Sequence, residues 1–277
     1  MNTLEAMILG AVQGLTEFLP VSSSGHLVLF QHLFGIEEPA LFFDICLHGG
    51  TLLAVVVVFF REIMELLTTL ITLPARLKKA GSLSLLWQTD PAFRMAVCIV
   101  TGSIPTGILG ILFKDRVHQL FASPMLVGGM LILTGALLWM TRRVQKQGRP
   151  VLQMTLKDAV VIGVVQGMAI IPGISRSGST ISAALFLGVD REAAGRYSFL
   201  LSIPAILGAL VLGLVSPELE TTISIKALLL GSVVAAIVGW LALVVLLRVV
   251  SRGRLYWFAP YCWLAGLVTL VVSWAGR

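Results

Sequence analysis

The sequence predicts an all-α, polytopic integral membrane protein with about six transmembrane helices and two re-entrant helical hairpins arranged as an inverted repeat. Composition supports this class, because 57% of the 277 residues are hydrophobic and only 12% are charged, whereas soluble domains carry about 25% charged residues. In addition, two apolar segments, 2–35 and 157–189, are each interrupted near the middle by proline, glycine and clustered hydroxyls.

Uninterrupted apolar segments predict the full spans. A helix needs about 20 residues to cross the hydrocarbon core of a bilayer. We predict spans at about 40–60, 92–113, 123–141, 191–215, 225–249 and 256–275.

The two interrupted segments predict the hairpins. Their breaks fall at 20–25 and 172–178. Non-helical backbone at membrane depth is tolerated only where protein or a water-filled cavity satisfies its polar groups. Each segment is therefore predicted to be a re-entrant pair of half-helices.

The two hairpin sequences repeat each other. The stretch "GAVQGLTEFLPVSSSG" begins at Gly10 and "GVVQGMAIIPGISRSG" begins at Gly163, with Gln-Gly and Ser-Gly pairs at matching positions. Broken hydrophobic segments at corresponding positions of two halves predict an inverted repeat whose site lies where the breaks meet. We predict a single membrane domain over 1–277, made of repeat one at about 1–141, a basic linker at 142–156 and repeat two at about 157–277.

The distribution of basic residues predicts the orientation. The linkers 61–94, 142–157 and 248–254 hold 13 of the 20 lysines and arginines, and cytoplasmic loops carry such an excess. These linkers are therefore predicted to be cytoplasmic and both termini external, so that the first hairpin enters from outside and the second from inside. This placement also explains the net charge of +6, and we expect no nucleic-acid partner.

The second break carries an arginine, Arg176, at membrane depth. A guanidinium there costs at least ~2.5–3.5 kcal/mol on insertion scales, so it normally faces a cavity and a partner. It could form a structural ion pair with Glu17, or it could bind an anion. The anion site is favoured because hydroxyl groups and a helix start surround the arginine, which together suit a phosphate. The predicted substrate-binding residues of this break are Ser175, Ser177, Gly178 and Thr180.

The first break gathers a carboxylate, hydroxyls and an imidazole. Glu17 lies one turn after Gln13 on the same helix face and could be a general base or a Mg²⁺ or Ca²⁺ ligand, or it could only bond the backbone of the turn. One of Ser22, Ser23 and Ser24 could be a nucleophile, with His26 as a proton carrier. The structural alternatives are an N-cap serine cluster and a satisfied histidine. Gln13 and Ser24 are predicted to bind substrate.

Two further polar residues lie one turn apart in the first span, Asp44 and His48. They could line the same cavity, or they could bond each other as structural contacts within the membrane. The sequence leaves both interpretations open.

The two breaks together suit phosphoryl chemistry on a lipid. Such chemistry needs positioning, charge neutralisation and an activated nucleophile. A lipid diphosphate fits, with its headgroup in the polar cavity and its tail between helices. The alternative is a transporter or flippase for a polyprenyl phosphate, because inverted repeats with broken helices are also transporter architecture.

Two motifs carry a resemblance to a known family. The stretches "QGLTEFLPVSSSGH" and "PGISRSGST" are similar to the signatures of the bacterial undecaprenyl-pyrophosphate phosphatase family, also called the bacitracin-resistance protein family. The likeness extends to "FDICLHGGTLLAV" and "RYSFLLSIPAILGA" and covers essentially the whole chain. It implies hydrolysis of undecaprenyl diphosphate to undecaprenyl phosphate, which recycles the carrier lipid of peptidoglycan synthesis.

The resemblance also implies a divalent cation, Mg²⁺ or Ca²⁺, a long-chain polyprenyl diphosphate as partner, and a multi-pass protein of the bacterial plasma membrane whose site opens to the periplasmic side. Glu17, Ser23, His26 and Arg176 match functional positions of the family. The family often has Glu where this chain has Gln13, so a second carboxylate is missing there. The attacking group stays open between Ser23, His26 and water, and the sequence predicts no oligomeric state.

Overall fold

The computed structural model describes residues 1–36, 41–113, 120, 123–145, 147–214 and 223–275, which are mostly helical and contain no β-strand. The predicted all-α class is therefore confirmed. The α-helices, numbered in chain order, are α1 Thr3–Phe18, α2 Ser23–Leu33, α3 Leu41–Val58, α4 Phe60–Ile71, α5 Leu73–Ala80, α6 Leu83–Thr89, α7 Pro91–Phe113, α8 Pro124–Met140, α9 Leu156–Met168, α10 Arg176–Phe186, α11 Arg191–Leu214, α12 Ile225–Ser251 and α13 Ala259–Ala275.

Five of the described helices are long and apolar enough to cross a membrane, namely α7, α8, α11, α12 and α13. Helix α3 makes a sixth candidate when it is taken together with α4, from which it is bent by 80°. The bounds of these helices lie within a few residues of the predicted spans. The polytopic helical architecture is thus confirmed.

The segment 61–94 is predicted from its charges to be a linker, yet its first part belongs to helix α4, which follows the first span. In α4, the side chains of Phe60, Met64, Leu67 and Ile71 are exposed and lie on one helix face by their spacing. A helix with one apolar exposed face, bent sharply away from a span, is typical of a helix that lies along the membrane surface.

Each interrupted segment contains two helices. The first break runs from the end of α1 at Phe18 to the start of α2 at Ser23, and the second separates α9 from α10. The first break is shorter than predicted, because Ser23 and the two residues after it already form the first turn of α2. The chain turns at Ser22, which has φ 68° and is the one non-glycine residue with positive φ among the described residues.

Equivalent helices of the two halves pack in equivalent ways. Helix α1 packs against α12, and α9 packs against α7. A Cβ on Gly10 of α1 would overlap the carbonyl oxygen of Gly231, and a Cβ on Gly163 of α9 would overlap that of Gly102. Gly10 and Gly163 begin the repeated motif, so the same position brings two backbones together in each half, as small residues do between membrane helices.

The two breaks also receive equivalent hydrogen bonds. The Cys262 thiol in α13 donates to the Pro20 carbonyl at 3.3 Å, and the Thr134 hydroxyl in α8 donates to the Gly173 carbonyl at 2.9 Å. Pro20 and Gly173 are equivalent in the register set by the repeated Gln-Gly pairs. These contacts agree with an inverted repeat. The repeat, its boundaries and the re-entrant course of the hairpins nevertheless stay predictions.

Candidate active site

The predicted residues of the two breaks meet at the Glu17 carboxylate, at the end of α1. One oxygen, Oε1, accepts a hydrogen bond from Arg176 Nη2 at 2.6 Å. The other, Oε2, accepts bonds from Ser23 Oγ at 2.7 Å and from Gln13 Nε2 at 3.0 Å. Residues that lie 159 positions apart in the chain therefore form one cluster.

The contact between Glu17 and Arg176 is the ion pair that the sequence offered as one alternative. Glu17 is only 8% exposed and the arginine side chain 16%. A buried pair needs good geometry and additional hydrogen bonds to offset its desolvation, and Glu17 receives those bonds from Ser23 and Gln13. However, Arg176 Nη1 is buried and has no hydrogen-bond partner among the described residues. The pair thus occupies one side of the guanidinium and leaves a donor for an anion.

Helix α10 begins directly at Arg176. Ser175 is its N-cap, and its hydroxyl accepts a hydrogen bond from the Gly178 N–H at 3.1 Å. The Ser175 N–H donates in turn to the Thr134 hydroxyl of α8 at 3.2 Å. These bonds hold the start of α10 in place, where its first N–H groups lack intrahelical acceptors and form the kind of site that binds anions.

The other predicted residues of the second break are buried in helix contacts. Ser177 Oγ lies 3.3 Å from Ser175 Oγ. Thr180 Oγ1 donates to the Arg176 carbonyl at 2.8 Å. A Cβ on Gly178 would come within 2.9 Å of the Pro20 side chain, so glycine permits the close approach of the two breaks. Substrate binding by Ser177, Gly178 and Thr180 stays a prediction.

Ser22 links the two breaks directly. Its hydroxyl accepts a hydrogen bond from the Gly173 N–H at 3.1 Å and lies 3.3 Å from the hydroxyl of Ser24, one of the predicted substrate-binding residues. A non-glycine residue in the left-handed region costs roughly 1–2 kcal/mol. Such strain is tolerated where the surrounding contacts over-determine the conformation, often at functional sites.

His26 points toward α13 and is not part of the cluster around Glu17. Its Nδ1 lies 2.9 Å from the Ser22 carbonyl and its Nε2 lies 2.6 Å from the Tyr261 hydroxyl. Because a carbonyl can only accept, Nδ1 carries the proton and Nε2 accepts from the tyrosine. The two rings are stacked with an interplanar angle of 13°. Both ring nitrogens are therefore occupied.

The structure separates the roles of Asp44 and His48, which the sequence left open. Asp44 Oδ1 accepts from Gln31 Nε2 at 2.7 Å, within the packing between α2 and α3. His48 Nδ1 lies 2.7 Å from the Asp44 backbone carbonyl, and its Nε2 faces Glu17 Oε2 at 3.7 Å. The His48 side chain is 34% exposed. His48 thus lines the opening of the cluster, whereas the Asp44 carboxylate makes a structural contact.

Comparisons with known proteins identify the family. Residues 6–268 match the family model described as bacitracin resistance protein BacA. The chain belongs to the BacA family. A curated relative from Desulfatibacillum aliphaticivorans is 54% identical over 274 residues, which cover 99% of both chains. Relatives from Carboxydothermus hydrogenoformans and Methanosphaera stadtmanae are 43% and 42% identical and cover at least 99% of each chain. All three relatives are named undecaprenyl-diphosphatase.

The side-chain oxygens of Glu17 and Gln13 in this BacA protein fit a divalent cation whose other ligands would be mostly diphosphate oxygens. No group of three histidine, cysteine or acidic residues that could hold a metal occurs among the described residues. Glu17 supplies a carboxylate, and Gln13 Oε1 is a buried oxygen without a partner in the described part of the chain. Mg²⁺ is commonly bound by one or two carboxylates together with substrate phosphates. Glu17 and Gln13 are therefore the residues that would contribute protein ligands.

Sequence reasoning missed two residues of the BacA site. Tyr261 lies in an apolar span, where the aromatic residues nearby predict only a membrane-interface belt, and it contacts His26 across 235 positions of chain. Thr134 is a single hydroxyl in an otherwise apolar span, yet it bonds both Gly173 and Ser175. A polar side chain within a span is the signal that could have identified Thr134.

Proposed function

We propose that this BacA protein is an undecaprenyl-diphosphatase, which hydrolyses undecaprenyl diphosphate to undecaprenyl phosphate and inorganic phosphate and so recycles the carrier lipid of peptidoglycan synthesis. The names of the curated relatives support the substrate. The single observation that carries the chemistry is the Glu17 carboxylate, which accepts a hydrogen bond from the Ser23 hydroxyl while it is paired with Arg176.

Ser23 is the nucleophile in this proposal. Its Oγ forms a bond to the terminal phosphorus while the bond from that phosphorus to the bridging oxygen breaks, and its proton passes to Glu17 Oε2. Undecaprenyl phosphate leaves, and water then hydrolyses the phosphoserine to release inorganic phosphate. An adjacent base is the usual means of activating a serine, and the 2.7 Å contact is within the reach of general-base catalysis.

Arg176 binds the diphosphate. Its free Nη1 and the first N–H groups of α10 supply donors, and a guanidinium matches phosphate geometry with two parallel bonds. Because Nη1 is buried, we expect the side chain to turn toward the opening when the lipid binds. Charge neutralisation of this kind is the main requirement of phosphoryl transfer.

His26 has a supporting role in the proposal. Held between the Ser22 carbonyl and the Tyr261 hydroxyl, it fixes the start of α2 and hence the position of Ser23. Neither nitrogen is free to attack phosphorus. A divalent cation held by the diphosphate would add positive charge at the phosphate oxygens. Glu17 would be its ligand only in place of its role as base, so Gln13 Oε1 is the protein ligand compatible with the serine mechanism.

The protein is proposed to lie in the plasma membrane with its site open to the outer side. The excess of basic residues in the linkers 61–94, 142–157 and 248–254 supports this orientation. The partly exposed side chains at the opening of the site are Ser23, Ser24 and His48.

Phosphate release from a long-chain polyprenyl diphosphate tests the function. Purified protein in detergent is assayed with and without EDTA, beside Arg176→Ala and a control, Arg196→Ala, which removes an exposed arginine that forms a surface ion pair with Glu192. We expect release that requires a divalent cation, falls by roughly a hundredfold or more in Arg176→Ala and persists in the control. If the protein binds the lipid through Arg176 but releases no phosphate with any divalent metal, a polyprenyl-phosphate transporter replaces the enzyme.

A further inference from the structure

A second basic site lies at the far end of α12. A groove of 190 Å³ is lined by Val245, Arg248, Val249, Arg252, Arg254 and Trp257. It is separate from the proposed active site, since α1 packs on Gly239 through Phe18 and Arg248 follows Gly239 by nine residues, or about 13 Å of helix. We propose that this groove binds the headgroup of an anionic phospholipid.

The groove combines apolar and cationic side chains, the two kinds of group that a phospholipid needs. Val245, Arg248, Val249 and Arg252 are spaced three and four apart, so they lie on one face of α12. Val245 lies one turn before Arg248, Val249 lies between the two arginines, and α12 finishes at Ser251, one residue before Arg252. The groove thus presents apolar side chains for an acyl chain beside cationic side chains for the phosphate.

The charges of the groove have no partner of opposite sign in the described part of the chain. No ion pair with a carboxylate is formed by Arg248, Arg252 or Arg254 among the described residues. Arg248 and Arg252 are like charges one turn apart at the end of α12, where they repel each other. The guanidinium of Arg191 lies against Gly253 and adds a further positive charge. A phosphate between these side chains would relieve the repulsion and accept charge-assisted hydrogen bonds.

The surroundings favour a lipid over a free anion. Trp257 is 55% exposed, and the Arg254 guanidinium lies 4.5 Å from the centre of its ring. Tryptophan is enriched at the membrane interface, and the linker 248–254 belongs to the end of the molecule that the charge distribution assigns to the cytoplasm. Basic pockets between membrane helices on that side are suited to anionic headgroups.

Native mass spectrometry of the full chain tests the proposal. Wild-type protein is titrated with phosphatidylglycerol and, separately, with phosphatidylcholine of the same acyl chains, and we expect one retained phosphatidylglycerol and no comparable retention of phosphatidylcholine. The groove variant combines Arg248→Gln, Arg252→Gln and Arg254→Gln, and we expect it to bind phosphatidylglycerol at least about tenfold more weakly. The control variant removes three exposed bases at the same end of the molecule, with Arg61→Gln, Lys78→Gln and Lys79→Gln, and should bind as wild type does.

Three outcomes would overturn the proposal: equal binding of the two lipids, unchanged phosphatidylglycerol binding in the groove variant, or an equal loss in the control variant. Inorganic phosphate that displaces the lipid at comparable concentration would point to a free anion instead and would also overturn it. If the groove variant does not purify as a folded protein, Trp257→Leu and a salt titration of wild type replace it. We then expect Trp257→Leu to bind phosphatidylglycerol more weakly than wild type. We also expect wild-type binding to weaken as ionic strength rises, because exposed charges are screened. The absence of either effect would contradict the proposal.

Discussion

Glu17 receives hydrogen bonds from three separate parts of the chain. These bonds join the first break to the second. The helix that contains Glu17 contributes Gln13, the next helix contributes Ser23, and the second half of the molecule contributes Arg176. The same carboxylate therefore joins the two halves and, in the proposed mechanism, accepts the proton of Ser23.

Replacing Glu17→Gln tests this double role. We expect phosphate release to fall by roughly 10²–10⁴-fold, because the general base is lost. We also expect a loss of stability of about 3–5 kcal/mol, because a buried arginine is left without its counter-charge. Release assays and thermal unfolding in detergent measure the two effects. Glu192→Gln, which breaks an exposed pair with Arg196, should change neither; near wild-type release in Glu17→Gln would exclude the base.

The Tyr261 hydroxyl acts through His26 and is expected to position the start of α2. Tyr261→Phe keeps the stacked ring and removes only the bond to Nε2. One hydrogen bond corresponds to about a three- to tenfold effect on rate, and we expect it in kcat with KM unchanged, since the phenol does not touch the diphosphate in the proposed arrangement. Steady-state kinetics separate the two constants. A change in KM alone would contradict a positioning role, and Tyr256→Phe serves as the control.

At the scale of helices, hydropathy predicted the spans well but not the bends and short helices. The first span is predicted to end at about residue 60, yet the chain continues as a helix, α4, after a bend of 80° between Val58 and Phe60. The α4 segment is amphipathic and carries charges, so its composition resembles a linker as much as a helix. The position of the first break likewise depends on the positive φ of Ser22. Hydropathy carries no information on this backbone angle.

The close contact of α9 with α7 at Gly163 predicts that a larger side chain there destabilises the protein. In Gly163→Ala the new Cβ would overlap the carbonyl oxygen of Gly102, so α9 and α7 must separate. We expect a loss of about 1–3 kcal/mol, the usual cost of overpacking, seen as a lower unfolding temperature in detergent. The control is Gly107→Ala in α7, which meets nothing within 4 Å and should be neutral or stabilising. Equal behaviour of the two variants would contradict the close approach.

At the scale of the whole molecule, each half contributes to the other. The first hairpin packs on α12 of the second half, and the second hairpin packs on α7 of the first. Each break is therefore enclosed in part by helices of the other half, as in the contacts of Cys262 with Pro20 and of Thr134 with Gly173. The proposed site therefore requires both halves to be folded together, and the positive-inside distribution then decides which side of the membrane it faces.

The orientation can be tested by labelling introduced cysteines in intact cells. With Asn2→Cys we expect reaction with a membrane-impermeant maleimide, because the N-terminus is predicted to be external. With Gln147→Cys we expect reaction only after the membrane is permeabilised, because the linker 142–156 is predicted to be cytoplasmic. The unsubstituted protein controls for its own cysteines, of which Cys98 and Cys262 are buried. The reverse pattern would invert the proposed orientation of the site.

The sequence by itself determined the membrane class, the spans and the two motifs, because hydropathy and residue patterns are read within one continuous segment of about 20 residues. It also predicted that Arg176 pairs with Glu17 or binds an anion, but the choice depended on contacts it does not encode locally. Only the tertiary structure decided that one side of the guanidinium is paired while the other has no partner among the described residues, and that Tyr261 engages His26. These partners lie far apart in the chain, so only the packing of the two halves brings them within hydrogen-bond distance.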